Sequence, residues 1–254
     1  MIQLLAPMEK TKYMNPFRLA AVGDLHCSET SAGSYRYTFE DLNLRADALA
    51  LCGDLTSRGK MSEIEVVLEN LAEVRIPVVA VLGNHDYHEQ NNHRFHDHLE
   101  SAGVTVLDGD SMMLTIDNRT VGFAGAKGFA GGFGRRALPD FGEEIWRAFY
   151  RETLSEADKL RRALVSLETD LKIAVLHYAP ILSTLTGEDP QIYAFMGSSE
   201  LAKAIDDGAA DLALHSHAHF GQETGSTPGG VPVYNVSEPL IGRSYAIFEL
   251  EFPR

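Results

Sequence analysis

Short runs of Val, Ile, Leu and Ala recur along the chain and stop abruptly at polar residues. The clearest are Arg18–Val22, Ala48–Leu51, Val78–Leu82, Lys172–Leu176 and Leu212–Leu214. Their unbroken apolar character is that of strands buried on both faces. Between them the spacing switches to the helical period. Met61 to Val74 places Ile64, Val67, Leu68 and Leu71 on one stripe, and Asn92 to Ala102 turns Phe95 and Leu99 inward. Pro139 to Glu168 predicts a long helix, with Trp146, Phe149, Tyr150, Leu154, Leu160, Leu164 and Leu167 recurring every three or four residues. Alternation of this kind implies a sheet covered by helices on both faces. The rhythm changes twice. Met112 to Ala124 reads as a hairpin around Asp117-Asn118-Arg119, and Val231 to Phe252 holds two strands with no helix between them. The expected fold is therefore α/β, with a mixed sheet or two packed sheets. Gly125–Gly134 and Thr184–Ser199 are loops long enough to cover a site. No repeat, charge block or low-complexity linker divides the chain, so one domain over residues 1–254 is expected.

Composition narrows the function classes. With 44% hydrophobic and 23% charged residues over 254 positions, the chain is neither disordered nor collagen-like. Its apolar runs are strand-sized, so no membrane-spanning helix is expected. Met1 to Phe17 carries Glu9, Lys10 and Lys12 and lacks the apolar stretch of a secretory signal. A formal net charge of −14 repels phosphate backbones, so neither nucleic acid nor a membrane surface is an expected partner. The two cysteines, Cys27 and Cys52, form no metal-ligand pair, and a cytoplasmic location is the expectation.

The chemistry lies in the residues that end each apolar run. Val22 is followed by Gly23-Asp24-Leu25-His26, Cys52 by Gly53-Asp54, and Leu82 by Gly83-Asn84-His85-Asp86. Leu176 is followed by His177, and Leu214 by His215-Ser216-His217-Ala218-His219. Ligands of α/β sheets bind at the carboxyl ends of strands, where these residues would meet. Carboxylate, amide oxygen and imidazole suit Mn, Fe or Zn, and the lack of thiolate excludes a Cys-type structural zinc site. Seven donors exceed one tetrahedral ion and match two ions sharing a carboxylate. Such a pair clamps a phosphoryl group and supplies hydroxide near neutral pH. The glycines ahead of Asp24, Asp54 and Asn84 are expected to permit the sharp turns there.

In this order and spacing, the motifs resemble the calcineurin-like metallophosphoesterases over about residues 18 to 222: Asp24-x-His26, Gly53-Asp54, Gly83-Asn84-His85-Asp86, His177 and His217-x-His219. The resemblance implies a four-layer fold, a two-sheet β-sandwich of mixed strands flanked by helices. It implies Asp24, His26 and His219 on one divalent ion, Asn84, His177 and His217 on a second, and Asp54 bridging. It also implies that His85 acts beside the leaving oxygen, with Asp86 either orienting His85 or fixing the turn. Ser216 departs from the family's Gly-His-x-His, and a positive φ there would strain the loop by on the order of 1 kcal/mol. His215 reads as structural; on a strand-like backbone it would share a face with His217 and His219. Lys127, Arg135 and Arg136 flank the glycine-rich loop and either hold a phosphate or sit on a surface loop. His88, His93, His96 and His98 read as a solvated face, with His88 near enough to reach substrate, and Tyr178 and Tyr193 as core or rim packing. The expected function is hydrolysis of a small phosphomonoester or phosphodiester. The competing readings are a binding or scaffolding module without turnover, for which a missing ligand would be the trace, and a metal-dependent nuclease, for which a cationic groove would be needed.

Overall fold

The computed structural model describes residues 15–253. Residues 1–14, most of the stretch tested for a secretory signal, lie outside the described residues. In chain order the elements are β1 (Phe17–Val22), α1 (Arg36–Glu40), α2 (Leu42–Arg45), β2 (Ala48–Cys52), α3 (Met61–Leu71), β3 (Val78–Val81), α4 (Asn92–Ser101), β4 (Val104–Val106), β5 (Asp110–Ile116) and β6 (Arg119–Ala126). They continue as α5 (Glu144–Ser166), β7 (Leu171–Leu176), α6 (Tyr193–Met196), α7 (Ser199–Asp207), β8 (Leu212–His215), β9 (Thr224–Ser226), β10 (Pro232–Asn235), α8 (Glu238–Ile241) and β11 (Ala246–Leu250).

The strands form two sheets, ordered β11-β1-β2-β3-β4 and β5-β6-β7-β8-β10-β9. β1 to β4 run parallel, as do β6, β7, β8 and β10, while antiparallel β11, β5 and β9 close three of the edges. Side chains alternate along each strand. Leu19, Ala21, Ala50, Val79 and Val81 therefore face Val121, Phe123, Ile173, Val175 and Leu214 between the sheets. Their neighbours Ala20, Val22, Leu49, Leu51 and Ala80 turn outward onto Ile64 and Val67 of α3 and onto Phe95 and Leu99 of α4. On the other side Ala124, Ala174, Leu176 and Ala213 meet Leu160 and Leu164 of α5 and Leu201 and Ile205 of α7. The result is the expected two-sheet β-sandwich of mixed strands flanked by helices.

Three local readings need correction. The helix expected from Pro139 begins only at Glu144, and Trp146 and Leu154 of the presumed inner stripe are 45% and 38% exposed. Two polar residues take the buried face instead. Thr153 Oγ1 donates to the Ala130 carbonyl at 2.7 Å, and the Glu156 carboxylate accepts from the Gly128 N–H at 2.9 Å. A hydrophobic count cannot see helix residues that are buried to anchor a loop. The hairpin turn is Asp117-Asn118 alone, at φ 50° and 64°, a left-handed pair matching strand twist. Finally, α8 stands between β10 and β11, where no helix was expected; at four residues it is too short to show a period.

Candidate metal centre

Parallel strands place their carboxyl ends at one edge, and here both sheets present that edge together. The Gly23 N–H donates to the Val236 carbonyl at 3.0 Å and the Glu238 N–H to that of Gly23 at 2.9 Å, tying the end of β1 to the second sheet. Beyond β1 and β2 the two chains remain paired. The N–H groups of Asp24, His26 and Cys27 donate to the carbonyls of Gly53, Asp54 and Leu55 at 2.9, 3.0 and 2.9 Å. That pairing holds Asp24, His26 and Asp54 at φ 57°, 43° and 49°, and His217 sits at 71°. Left-handed backbone at non-glycine residues costs on the order of 1 kcal/mol each and concentrates at functional sites. Of the three glycines expected to turn, only Gly53 has a positive φ, at 83°. Gly23 and Gly83 serve close approach instead, since a Cβ there would collide with Ser216 and with the Asp54 carboxylate respectively.

The side chains converge. Ligand atoms of Asp24, His26 and His219 lie within 4.8 Å of one another, and so do those of Asp54, His177 and His217; a third such set, His26, Asp54 and His85, shares one member with each. His219 Nε2 is 3.4 Å from Asp24 Oδ2 and 3.5 Å from His26 Nε2. His177 Nε2 is 2.8 Å from Asn84 Oδ1 and 3.4 Å from Asp54 Oδ1. All seven residues named from the sequence thus meet in one place.

The donor set fits cations. His177 Nδ1 lies 3.1 Å from the Cys52 carbonyl, an acceptor only, so Nδ1 carries the proton and the Nε2 lone pair points at the Asn84 and Asp54 oxygens. Three electron-rich atoms aimed at one another call for a positive charge between them. Asp24 Oδ1 is buried and has no hydrogen-bond partner among the described residues, a state a cation relieves. Burial drives His26 and His177 down to about 4 and His217 to about 3, so at neutral pH these rings are neutral, the ligating form. Burial would lift the Asp24 carboxyl, but a hydrogen bond from His219 and the nearby His177 hold it well below the usual carboxylate range. The same bond raises His219. Asp54 is pushed upward, by burial and then by the Asp24 charge.

His85 packs edge-on against His26, ring centroids 4.6 Å apart, and is oriented by contacts of its own. Its backbone N–H donates to Asp54 Oδ1 at 2.8 Å, and its Nδ1–H is taken by the Ser57 carbonyl at 2.7 Å. Nε2 is left toward the cavity, 4.0 Å from Asp54 Oδ2. Asp86, named as catalytic beside it, does not touch the His85 ring. Its carboxylate accepts from the N–H groups of Gly83, Leu55 and Thr56 at 2.8, 3.2 and 2.9 Å and from Thr56 Oγ1 at 2.7 Å. All four of these bonds lie within the turn and the loop beside it, the setting of the second of the two roles weighed. Nor is Ser216 strained, because the positive φ falls on His217. Its Oγ donates to the Cys52 carbonyl at 2.5 Å and lies 3.0 Å from His177 Nδ1, so the departure from glycine adds a brace for His177. His215 is fully buried between the Thr184 hydroxyl and the Ser216 carbonyl, and the kink at His217 ends the expected alternation.

Lys127 is engaged elsewhere: Nζ donates to the Gly128 carbonyl at 2.8 Å and lies 4.9 and 5.3 Å from the ring centroids of Phe129 and Tyr178. Neither it nor exposed Arg135 and Arg136 lines the metal-site cavity, and the same holds for His88, His93, His96 and His98. Gly131 and Gly132 bond to the carbonyls of Ala194 and Gly197, so the glycine-rich loop buttresses the neighbouring segment from behind. Sequence reasoning missed Ser57, Thr56 and the cavity residues Glu188, Ile192, Phe195 and Phe220. A backbone carbonyl and a loop's apolar side chains leave no motif.

A family model for calcineurin-like phosphoesterases matches residues 17–221. YpbG of Bacillus subtilis (strain 168), described as uncharacterized, is 26% identical over 222 residues, covering 85% of this chain and 66% of its own length. The chain therefore spans just under two thirds of that relative. The phosphopantetheinyl hydrolase PptH of Mycobacterium tuberculosis superposes with a TM-score of 0.62 at 17% identity, over 88% of this chain and 89% of that one. The anchor of the inner membrane complex of Plasmodium gives 0.52 at 14%, over 89% and 73%. These structural likenesses concern the fold. The match of the family model over most of the chain settles membership: this chain belongs to the calcineurin-like phosphoesterase family.

Proposed function

We propose that the protein is a dinuclear metal-dependent hydrolase of a small phosphomonoester or phosphodiester. One observation carries this reading: two triads of oxygen and imidazole donors meet at a shared edge, and Asp54 of the second, 3.4 Å from His177 Nε2, is also 4.0 Å from His26 Nε2 of the first. Asp24, His26 and His219 would hold one ion, Asn84, His177 and His217 the other, and Asp54 both. When bound, two divalent cations supply Lewis acidity toward the phosphoryl oxygens and acidify water. The chain's own part is positional. The Cys52 carbonyl and Ser216 hydroxyl aim His177, and the Ser57 carbonyl aims His85 so that Nε2 faces the cavity and gives a proton to the leaving oxygen. Buried Asp86 keeps the turn bearing Asn84 and His85 in register with Asp54. The net charge of −14 supports a small substrate over a polynucleotide. Two buried free cysteines suit the cytoplasm. Protein loaded with Mn²⁺ is expected to hydrolyse an aryl phosphate or a bis-aryl phosphodiester; no turnover with Mn²⁺, Fe²⁺, Zn²⁺, Co²⁺ or Ni²⁺ overturns the proposal.

A further inference from the structure

Asp54, Asn84, His217 and His219, with His85, form the floor of an open cavity of about 400 Å³, and its wall is of a different chemistry. Tyr178, Ile192, Phe195, Met196 and Phe220 line it beside Glu188, the one lining carboxylate apart from Asp54 of the floor, and no lysine or arginine is among the described lining residues. Phe195 and Phe220 are 63% and 73% exposed and Ile192 is 42% exposed, large apolar surface left in water directly beside a polar centre. Such surface is unfavourable unless something covers it in use.

The wall is held firmly. Phe220 follows candidate ligand His219, and its N–H donates to Glu188 Oε1 at 2.8 Å, linking the two sides. The Ala179 N–H donates to the Met196 carbonyl at 3.0 Å and that of Gly131 to Ala194 at 2.9 Å. Met196 also packs with Leu185, Ala179 and Ala218 in a small core of its own. Gly197 lies so close to the Ala179 carbonyl that a Cβ would collide with it. A surface built on these supports is preorganised to receive a group rather than to collapse onto itself.

Resting on the phosphoesterase reading, we propose that this wall is the subsite for the organic part of the substrate: an apolar aromatic or aliphatic group on Ile192, Phe195 and Phe220, with Glu188 turning away substrates that carry a second negative charge. The substrate class is then a singly phosphorylated ester of an apolar group, and nucleoside polyphosphates and sugar bisphosphates are poor substrates. Glu188 is held at the cavity by the Phe220 N–H, next to His219, so its negative field falls on the space the substrate would fill. An extra anion on the substrate would meet that same field.

Non-hydrolysable phosphonates separate the subsite from turnover. Mn²⁺-loaded protein is titrated calorimetrically with phenylphosphonate, methylphosphonate and 4-carboxyphenylphosphonate. Phenylphosphonate is expected to bind about tenfold tighter than methylphosphonate, from partial burial of one ring face. In Phe195→Ser and Phe220→Ser, both at exposed positions, its affinity falls toward that of methylphosphonate. The carboxyphenyl compound binds at least fivefold more weakly than phenylphosphonate, and Glu188→Gln brings the two together. Equal affinities in the wild type, or a phenyl preference that survives both Phe substitutions, overturn the subsite. A carboxyphenyl penalty that persists in Glu188→Gln overturns the role of Glu188. Failure of all three phosphonates to bind overturns the subsite and counts against the phosphoesterase reading. Phenyl selectivity without hydrolysis of any aryl ester refutes catalysis alone, and hydrolysis without selectivity refutes the subsite alone.

Discussion

Replacing Asp86 with alanine distinguishes a turn-fixing carboxylate from a catalytic one. Asp86 is fully buried and accepts four hydrogen bonds, three of them from backbone N–H groups of Gly83, Leu55 and Thr56. Alanine leaves those three donors orphaned where no other acceptor is in place. An unsatisfied buried group costs about 1–3 kcal/mol, so with partial entry of water into the vacated space the loss is expected to be about 4 kcal/mol. Domains of this kind have roughly 5–15 kcal/mol in hand, so the variant is strongly destabilised. Urea unfolding of metal-free protein, followed by far-ultraviolet circular dichroism, reads the loss directly. Thr56→Val serves as a milder companion, removing only the hydroxyl's bond to Asp86 and that to the Gly59 N–H, for a loss of about 1 kcal/mol. If Asp86→Ala lost under 1 kcal/mol in stability while turnover collapsed, the carboxylate would belong to the chemistry and the structural assignment would be wrong.

Three other perturbations probe the geometry. Ser216→Ala removes a brace on His177 Nδ1 and is expected to weaken binding of the more weakly held Mn²⁺ by roughly tenfold, read by metal titration; unchanged affinity would remove Ser216 from the site. His85→Ala is expected to lower turnover by about 10²- to 10⁴-fold with both ions retained by elemental analysis, because its Nε2 reaches the cavity without joining either outer triad; full activity would reassign the proton donor, and loss of metal would make His85 a ligand. Burial pushes the Cys27 thiol up to about 12 and raises Cys52 also. Native protein is therefore expected to resist iodoacetamide at pH 8 and to react at both thiols only in denaturant, as mass spectrometry would show; rapid alkylation of the native state contradicts the burial.

How much of the fold and the site is legible in the sequence depends on how local each signal is. The five central strands are readable because each is buried on both faces and so carries an unbroken apolar run. β4 and β9, three residues each, carry too few side chains to register. The metal candidates are legible because a strand end must place its donor in the residue or two after the last apolar position, a constraint written in order along the chain. Ser216 misleads for the converse reason. Its φ depends on how the loop after β8 meets Gly23 across the sheets, and no neighbouring residue encodes that. The cavity wall is invisible as well, since Ile192, Phe195 and Phe220 differ from core residues only in where the fold leaves them.

The strained backbone and the donor geometry are one feature. A continued β ladder would stand Asp24 and His26, two residues apart, side by side on one face of the sheet. Here both reach past the strand ends to meet His219, while Cys27 packs in the core behind them. Left-handed φ at Asp24, His26 and Asp54 reverses the local direction without surrendering the hydrogen bonds between the two loops, which continue from Asp24 to Cys27 against Gly53 to Leu55. Glycine would take that backbone without strain but offers no donor, so the strain is intrinsic to placing a ligand there. Its energy, on the order of 1 kcal/mol per residue, is small against the burial of the flanking strands, which holds the loops in place. The donors are thereby set in position by the sandwich, ahead of any ion.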